Sequence, residues 1–410
     1  MNPNRLRLND VLVFDGHDYQ KGKRWSVSIE RDRIVAVEEA HPAEEGEQVL
    51  ELGGKFLMPG LIDAHFHANS PSLNVGVADR LAESHLAQHA RKYLEEELLR
   101  GFTTVRDAGG ADPGLAQAVR EGLIVGPDLY VSGKALSQTG GHGDMREGVQ
   151  LCGCAGYTGS LSCVVDGADE VRRHVRELLR SGVDQIKIFV SGGVLSPTDP
   201  IWMEQFIDAE ILAAVEEAER RRTYVMAHAH TSSAIQRCVR LGVRSIEHGL
   251  LMDEKTADIV AGSESYIVAT LLIVSSLISG RLPLPPGALE KAKSVADAAV
   301  KAIEFGDRAG VRFGFGTDLL GELHGMELEE LVLRSSISGT LATLRSATTV
   351  NAEIMGLKGE IGCIMPGARA DILILDANPI DDIGALVHNP GAYALLMKNG
   401  VAVVDRLTAQ

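Results

Sequence analysis

The sequence predicts an α/β protein in which a (β/α)8 TIM barrel carries a small β-sandwich domain built from both chain ends. Three patterns support this fold. Eight apolar, β-rich runs follow one another through the middle of the chain, segments with helical apolar spacing separate several of them, and short strands with turns occupy both ends. Strands that alternate with helices form a parallel sheet, and eight such strands close a barrel.

The eight barrel strands are predicted from runs of Val, Ile, Phe and Tyr that end in polar residues or glycine. In chain order they are GLIDAHFH, FTTVRDAG, DLYVSG, DQIKIFVSGG, TYVMAH, RSIEHG, SYIVATLL and VRFGFGTD. Helices are predicted where apolar spacing is helical and Ala, Glu and Arg are frequent, around residues 81–100, 167–181, 207–222 and 287–310.

The chain ends have a different pattern, in which short alternating runs read as antiparallel strands. RLNDVLVF, RWSVSIERDRIVAVEE and QVLELGGKFL lie at the start, and ADILILDANP, YALLMKNG and VAVVD lie at the finish. Both sets are apolar enough to need burial, so we expect them to meet. The predicted domains are therefore a composite β-sandwich of residues 1–58 and 359–410 and a TIM barrel of residues 59–358.

Composition narrows the function classes. The 410 residues are 45% hydrophobic and 23% charged, which supports one large core and a smaller second one. A formal net charge of -16 argues against non-specific nucleic-acid binding, which needs clustered Lys and Arg. The start of the chain lacks the apolar region of a secretory signal, and we find no membrane-spanning run, so a cytoplasmic protein is expected.

Candidate metal ligands lie at the ends of the predicted strands. The first run ends in His65-Phe66-His67, and residues two apart in a strand point to the same side, so both imidazoles can reach one ion. Taken alone, this pair fits two satisfied core histidines better than a metal site. However, other runs end at His228, His248 and Asp318, which makes a shared site the better interpretation.

Nitrogen and oxygen donors of this kind suit zinc, with manganese, cobalt and iron as alternatives. Lys187, in DQIKIFVSGG, has two interpretations. It could extend from a strand end toward water, which composition alone favours. If it is buried beside metals, desolvation and the cations would lower its pKa, and the neutral amine could react with carbon dioxide. The carbamate would supply one oxygen to each of two metals.

Several motifs together resemble the amidohydrolase superfamily over essentially the whole chain. They are LMPGLIDAHFHA, the lysine of the fourth strand, AHAH, IEHG, GFGTD and GEIGCIMPGARADILILD. Within it, FTTVRDAGG, ALSQTGGHGD, DQIKIFVSGGVLSPTDP and GFGTDLLGE resemble the binuclear prolidase-like carboxypeptidases and dipeptidases, a group that includes ochratoxin-degrading amidohydrolases.

The resemblance implies a ligand set for two divalent metals, with zinc favoured. One metal would be bound by His65, His67 and Asp318, the other by His228 and His248, and a carbamylated Lys187 would bridge them. A water bridging two such cations becomes hydroxide near neutral pH. Asp318 is then the expected proton acceptor, which passes the proton to the leaving amine.

The resemblance also implies substrate contacts. His142, in the Gly-rich QTGGHGD segment, is expected to bind substrate or polarise its carbonyl, although the segment alone could equally be a surface turn. His230 follows His228 at strand spacing. Relatives have a tyrosine there, so we expect a substrate contact rather than a metal ligand. Ser70 and Val194 are weaker pocket candidates that could be structural.

The predicted activity is hydrolysis of an amide bond to a C-terminal amino acid, with Xaa-Pro dipeptides, N-acyl amino acids or ochratoxin A as substrates. Hydrolysis of a cyclic amide, imidazolone, carbamate or urea on the same scaffold is the enzymatic alternative. A scaffold without catalysis is the alternative from another class, and the complete ligand set argues against it. The expected partner is a small molecule, with neither nucleic acid nor membrane, and the resemblance implies a homo-oligomer.

Overall fold

The computed structural model describes residues 5–43, 47–146, 158–196, 199–279, 284, 287–387 and 393–407. The strands in these ranges, β1 to β18 in chain order, are Arg5–Val13, Trp25–Glu30, Arg33–Glu39, Gln48–Glu51, Phe56–Pro59, Leu61–Phe66, Phe102–Asp107, Asp128–Tyr130, Ala135–Ser137, Ser162–Val164, Ile186–Phe189, Val225–Thr231, Ser245–Leu251, Tyr266–Ala269, Phe313–Phe315, Ile372–Leu375, Tyr393–Lys398 and Val401–Asp405. The α-helices, α1 to α13, are Val75–Ala78, Glu83–Leu99, Pro113–Arg120, Ala168–Ser181, Asp208–Arg220, Ser232–Arg240, Glu254–Ala261, Leu271–Ile278, Ala288–Ala309, Glu329–Ser338, Thr340–Arg345, Asn351–Ile354 and Gly384–Val387.

The barrel has the eight strands that the sequence predicts, namely β6, β7, β8 and β11 to β15. Neighbours from β11 to β15 pair in parallel, and β6, β7 and β8 form a second run of paired strands. Backbone hydrogen bonds join the two runs at both edges. The Asp184 amide donates to the Val131 carbonyl and the Asp318 amide donates to the His65 carbonyl, each over 2.8 Å. The predicted (β/α)8 barrel is therefore confirmed.

Two short strands between β8 and β11 were not predicted. β9 and β10 pair in parallel, and β9 also joins β11 through Leu136 and Ile188. The sequence predicts a loop in this Gly-rich region, because β9 and β10 are short and lie among glycine and serine residues rather than in a recognisable β-rich run. Their effect is to bring the segment that contains His142 against the barrel.

Four helices coincide with the four predicted helical segments, and they show why the spacing is informative. In α4 the buried residues Val171, Val175 and Leu179 recur every four positions, so one face packs inward while the other carries charge. The helix ends at Gly182, whose φ of 100° suits the left-handed cap that glycine tolerates. α2, α5 and α9 match the other three predictions.

Strands from both chain ends meet in one eight-stranded mixed sheet, as the fold prediction required. Its order is β18-β17-β16-β5-β1-β2-β3, with β4 also paired to β1. The register of β1 shifts near Asp10, which has a φ of 57°, so its first half pairs with β2 and β4 and its end pairs with β5. Residues from both halves of this sheet share one apolar core. β4 and β5 both pair with β1 on the side away from β2, and both run in the same direction as β1. These two pairs are therefore parallel, and the antiparallel prediction was wrong for them.

The chain divides into two compact units. One comprises Met1–Asp63, Glu96–Thr104 and Leu331–Gln410, and the other comprises Ala64–Glu95 and Val105–Glu330. The first unit thus includes α11 and α12, whereas the sequence-based boundaries at residues 58 and 359 remain a prediction. Within the described ranges, no helix has the length and apolar character needed to cross a membrane.

Candidate metal centre and active site

A cavity lies at the carboxyl ends of the barrel strands, where TIM barrels carry their active sites. Residues from five strands or strand ends, those of β6, β11, β12, β13 and β15, meet here. All six predicted metal ligands line it: His65, His67, Lys187, His228, His248 and Asp318.

His65, His67 and Asp318 form the most compact group of candidate ligands. The Nε2 atoms of His65 and His67 lie 3.3 Å and 3.1 Å from Oδ1 of Asp318, and the three residues offer ligand atoms that all lie within 4.8 Å of one another. Asp318 has a φ of 56°, a strained value for a residue with a side chain. This geometry fits a single divalent cation held by two nitrogens and an oxygen.

The hydrogen bonds of the two rings determine which nitrogen faces a metal. His65 Nδ1 lies 2.7 Å from Oε2 of Glu247, and His67 Nδ1 lies 3.2 Å from the carbonyl oxygen of Gly109. Both partners accept, so each Nδ1 donates its proton. The Nε2 lone pairs therefore point toward Asp318, as metal binding requires.

His228 and His248 form a second group. The His228 and His248 ring centroids are 4.7 Å apart, and burial lowers the pKa of both rings well below the ordinary histidine range. Nε2 of His228 lies 3.2 Å from the carbonyl oxygen of Gly192, which can only accept, so Nδ1 carries the free lone pair. His248 has a φ of 71°, which turns its side chain toward the cavity directly after Glu247. Neutral imidazoles of this kind are metal ligands.

Lys187 is buried within β11 and lines the cavity, so the interpretation of a solvated strand-end lysine does not hold. Burial lowers its pKa to about 8, partly offset by the charges of Glu247 and Asp318. A substantial fraction of the amine is therefore neutral near physiological pH. Neutrality is the property that reaction with carbon dioxide requires.

The sequence also matches known proteins over most of its length. The sequence model of the amidohydrolase family matches residues 56–403. The chain belongs to the amidohydrolase family. It is 34% identical to ochratoxinase from Aspergillus niger over 362 residues, which covers 84% of this chain and 75% of that protein. It is 28% identical over 377 residues to imidazolonepropionase from Rubrobacter xylanophilus, covering 86% and 84% of the two chains.

Structural similarity agrees with this assignment. A crystal structure of a prolidase complexed with N-methylphosphonate-L-proline has a TM-score of 0.93 and 42% identity, and the match covers 98% of this amidohydrolase and 100% of that chain. The protein is thus a hydrolase that acts on carbon–nitrogen bonds, in the prolidase-like group. Members of the family are generally metal-dependent, and the His65, His67 and Asp318 donors fit that requirement.

The predicted substrate contacts of this amidohydrolase fall in two places. His142, His230 and Val194 line the cavity, whereas Ser70 is fully buried and is not among the lining residues. The His142 and His228 rings stack with centroids 4.3 Å apart. Burial lowers the pKa of His230 to about 3, so its ring is neutral, and its Nδ1 has no hydrogen-bond partner among the described residues.

An apolar wall faces the candidate ligands. It is formed by aliphatic and aromatic side chains from β11, α8 and the adjoining loops: Leu161, Phe189, Leu195, Ile273, Val274, Leu277 and Leu320. Three of them lie on α8, whose sequence LLIVSSLI is apolar almost throughout. A cavity lined by both ionisable groups and hydrocarbon suits a substrate with one apolar part.

Sequence reasoning missed the residues that support the histidines. Glu247 and Arg106 are fully buried behind His65, and Asp199 and Lys291 lie behind the segment that approaches His142. The sequence does contain a pattern that could have predicted the pairing of Glu247 with Arg106. A glutamate and an arginine within apolar strand runs, in RSIEHG and FTTVRDAG, are expensive to bury without a partner.

Proposed function

We propose that this amidohydrolase cleaves the amide bond between an apolar acyl group and a C-terminal amino acid, acting on Xaa-Pro dipeptides, N-acyl amino acids or ochratoxin A. The observation that carries the proposal is the cavity itself, in which Asp318 and neutral imidazoles face the apolar wall. The names of the similar proteins, prolidase and ochratoxinase, support the same bond type.

The proposed cofactor is a pair of zinc ions. His65, His67 and Asp318 would bind one ion, His228 Nδ1 and His248 would bind the other, and the Lys187 carbamate would contribute an oxygen to each. The carbamate forms when the neutral Nζ attacks carbon dioxide and then loses a proton, which leaves one negative charge on two oxygens. When bound, the ions lower the pKa of water and polarise the scissile carbonyl.

The chain's own residues then handle the proton and the substrate. A bound divalent cation would favour the ionised form of Asp318, and its carboxylate could accept a proton from the attacking water. It returns the proton to the leaving amine nitrogen as the C–N bond breaks. His142 and His230 would contact the polar part of the substrate, and the apolar wall would contact the acyl group.

A substrate panel tests this proposal. The purified enzyme would be assayed against Xaa-Pro dipeptides, N-acyl amino acids and ochratoxin A, with apolar and charged acyl groups compared at the same amino acid. We expect turnover with the apolar members, its loss after chelation and its return with zinc. Full turnover after complete metal removal, or no turnover across the panel, would contradict the proposal.

Hydrolysis of a cyclic amide is a second candidate, favoured by the similarity to an imidazolonepropionase. The same panel extended with an imidazolone, a carbamate and a phenylurea separates the two. Metal analysis does not separate them, because both reactions use the same centre. Faster turnover of a cyclic member than of any acyl amino acid would establish this candidate instead.

The role of Lys187 has its own test. Lys187→Ala removes the proposed shared ligand, so we expect loss of both metals and of activity. Propionate or acetate added in solution fits the vacated space as a carboxylate, and partial recovery is expected. Normal turnover with both metals retained in the alanine variant, with circular dichroism confirming the fold, would return Lys187 to a structural role.

A further inference from the structure

Glu247 is the buried carboxylate that lies against His65. Its side chain is fully buried, with Oε2 2.7 Å from His65 Nδ1. It belongs to β13, whereas His65 ends β6, so the contact crosses the barrel interior. Ser245, two positions earlier on the same face of β13, donates a further hydrogen bond to the carboxylate.

Arg106 fixes this carboxylate from the other side. Its Nη2 lies 3.0 Å and 3.2 Å from the two oxygens of Glu247, and the guanidinium is fully buried. Its Nε donates over 2.7 Å to the carbonyl oxygen of Ala64, the residue that precedes His65. Arg106 therefore ties Glu247 to the backbone of the strand that carries the histidine.

Stability is a weak explanation for this pair. Two charges taken out of water lose solvation that their attraction repays only with good geometry, and apolar side chains of similar volume are often at least as stable. A histidine that binds a metal, however, gains from an anionic partner at its other nitrogen. The partner fixes the tautomer and raises the basicity of the ligating nitrogen.

We propose that Glu247, held by Arg106, is a positioning residue that orients His65 and strengthens metal binding at the His65, His67 and Asp318 group. His67 supplies an internal comparison, because its Nδ1 meets the Gly109 carbonyl oxygen rather than a carboxylate. The two histidines of the motif are thus supported unequally. This inference rests on the proposed function, since it requires that a metal binds there.

Zinc affinity of Glu247→Gln tests the inference. Metal-depleted protein would be titrated with zinc against a chromophoric chelator, at a temperature where circular dichroism shows each variant folded. We expect the affinity for one ion to fall by about 10- to 100-fold. Arg106→Lys keeps the charge, but its single nitrogen cannot contact both Glu247 and the Ala64 carbonyl oxygen as Nη2 and Nε do, so a weaker fall in the same direction is expected. This variant provides the test if Glu247→Gln does not fold.

The matched control is Glu217→Gln. Glu217 is also a buried carboxylate held by arginines, namely Arg172, Arg176 and Arg220, but it lies on α5 outside the cavity. Its replacement should leave zinc affinity unchanged. A purely structural role for Glu247 predicts a lower melting temperature of the metal-free protein with wild-type zinc affinity, and that result overturns the inference alone. Wild-type protein that binds no zinc overturns the proposed metal centre as well.

Discussion

Two imidazoles face the cavity with a buried carboxylate behind each, and they are held in different ways. His65 contacts Glu247 inside the barrel, where the partners belong to strands. His142 lies at the rim, with its Nδ1 2.8 Å from Ser196 Oγ and 3.5 Å from Asp199 Oδ2, and these partners belong to the loop after β11.

The difference extends to what holds the residues behind each imidazole. Strand pairing fixes the interior contacts, because the backbone of β6, β7 and β13 determines where their side chains meet. At the rim, Lys291 from α9 donates to the carbonyl oxygens of Gly193, Ser196 and Asp199 over 3.0, 2.9 and 2.7 Å. We infer that interior residues serve metal binding and chemistry, whereas rim residues serve substrate fit. Variants on the two sides should therefore differ in kcat and KM.

The largest effect is expected in the interior, for Asp318→Asn. The amide cannot accept the proton of the attacking water and is a weaker metal ligand. We expect kcat to fall by at least about a hundredfold, the usual scale of general acid–base catalysis, with the fold unchanged by circular dichroism. Near wild-type turnover with full metal content would show that Asp318 is neither the proton acceptor nor a required metal ligand.

His230→Ala tests the division between barrel interior and rim. His230 lies on a barrel strand, like the interior residues, but its proposed role is to contact the substrate. Loss of one hydrogen bond to the substrate predicts a KM rise of roughly tenfold, with both metals retained. His85→Ala, an exposed histidine on α2, is the matched control and should leave KM unchanged. Loss of one metal equivalent from His230→Ala would make His230 a ligand.

The same contrast explains how much the sequence could predict. Strand-borne residues such as His67 and His228 were predictable, because each strand ends at the same face and its side chains alternate. The orientation of His248 was not, since its φ of 71° breaks the alternation that places Glu247 inward. Ser70 was offered as a pocket residue because it follows the His-x-His pair, but the chain turns there and buries it.

The rim was less predictable for a physical reason. The contacts of Asp199 and Lys291 join residues 92 positions apart through backbone carbonyls, and carbonyl groups leave no trace in a residue pattern. β9, which brings the His142 segment into place, has three residues and no visible periodicity. The eight barrel strands, by contrast, are each long enough or apolar enough to be recognised.

Lys291→Met tests the rim directly. Without its ammonium group, three carbonyl oxygens lose their donor and the segment that carries Val194 can shift relative to the cavity. Because this segment is assigned to substrate fit and not to the reacting atoms, its displacement weakens substrate binding, and we expect KM to rise roughly fivefold while kcat changes little. Lys293→Met, an exposed lysine on the same helix, is the control. A fall in kcat with unchanged KM would contradict the division between interior and rim.

The smallest effect on catalysis is expected for Glu217→Gln. Glu217 and its arginine partners lie outside both the barrel interior and the rim. Hydrogen bonds from Arg176 and Arg172 outweigh burial and lower the pKa of Glu217 to about 2. A lowered folded-state pKa stabilises the protein above the unfolded value of about 4.5, and this contribution is lost as the pH falls from there toward 2. We expect the variant to lose about 1 kcal/mol of unfolding free energy near neutral pH, because ion pairs whose arginine side chains reach solvent, as Arg176 and Arg220 do, contribute no more than about that. Urea unfolding at several pH values would show the difference in unfolding free energy between wild type and variant shrinking below about pH 4.5, with kcat and KM unchanged.

A difference in unfolding free energy that stays constant across this range would mean that side-chain packing, rather than charge, explains the contribution of Glu217. A change in KM would extend the substrate-fitting region to the outer helices.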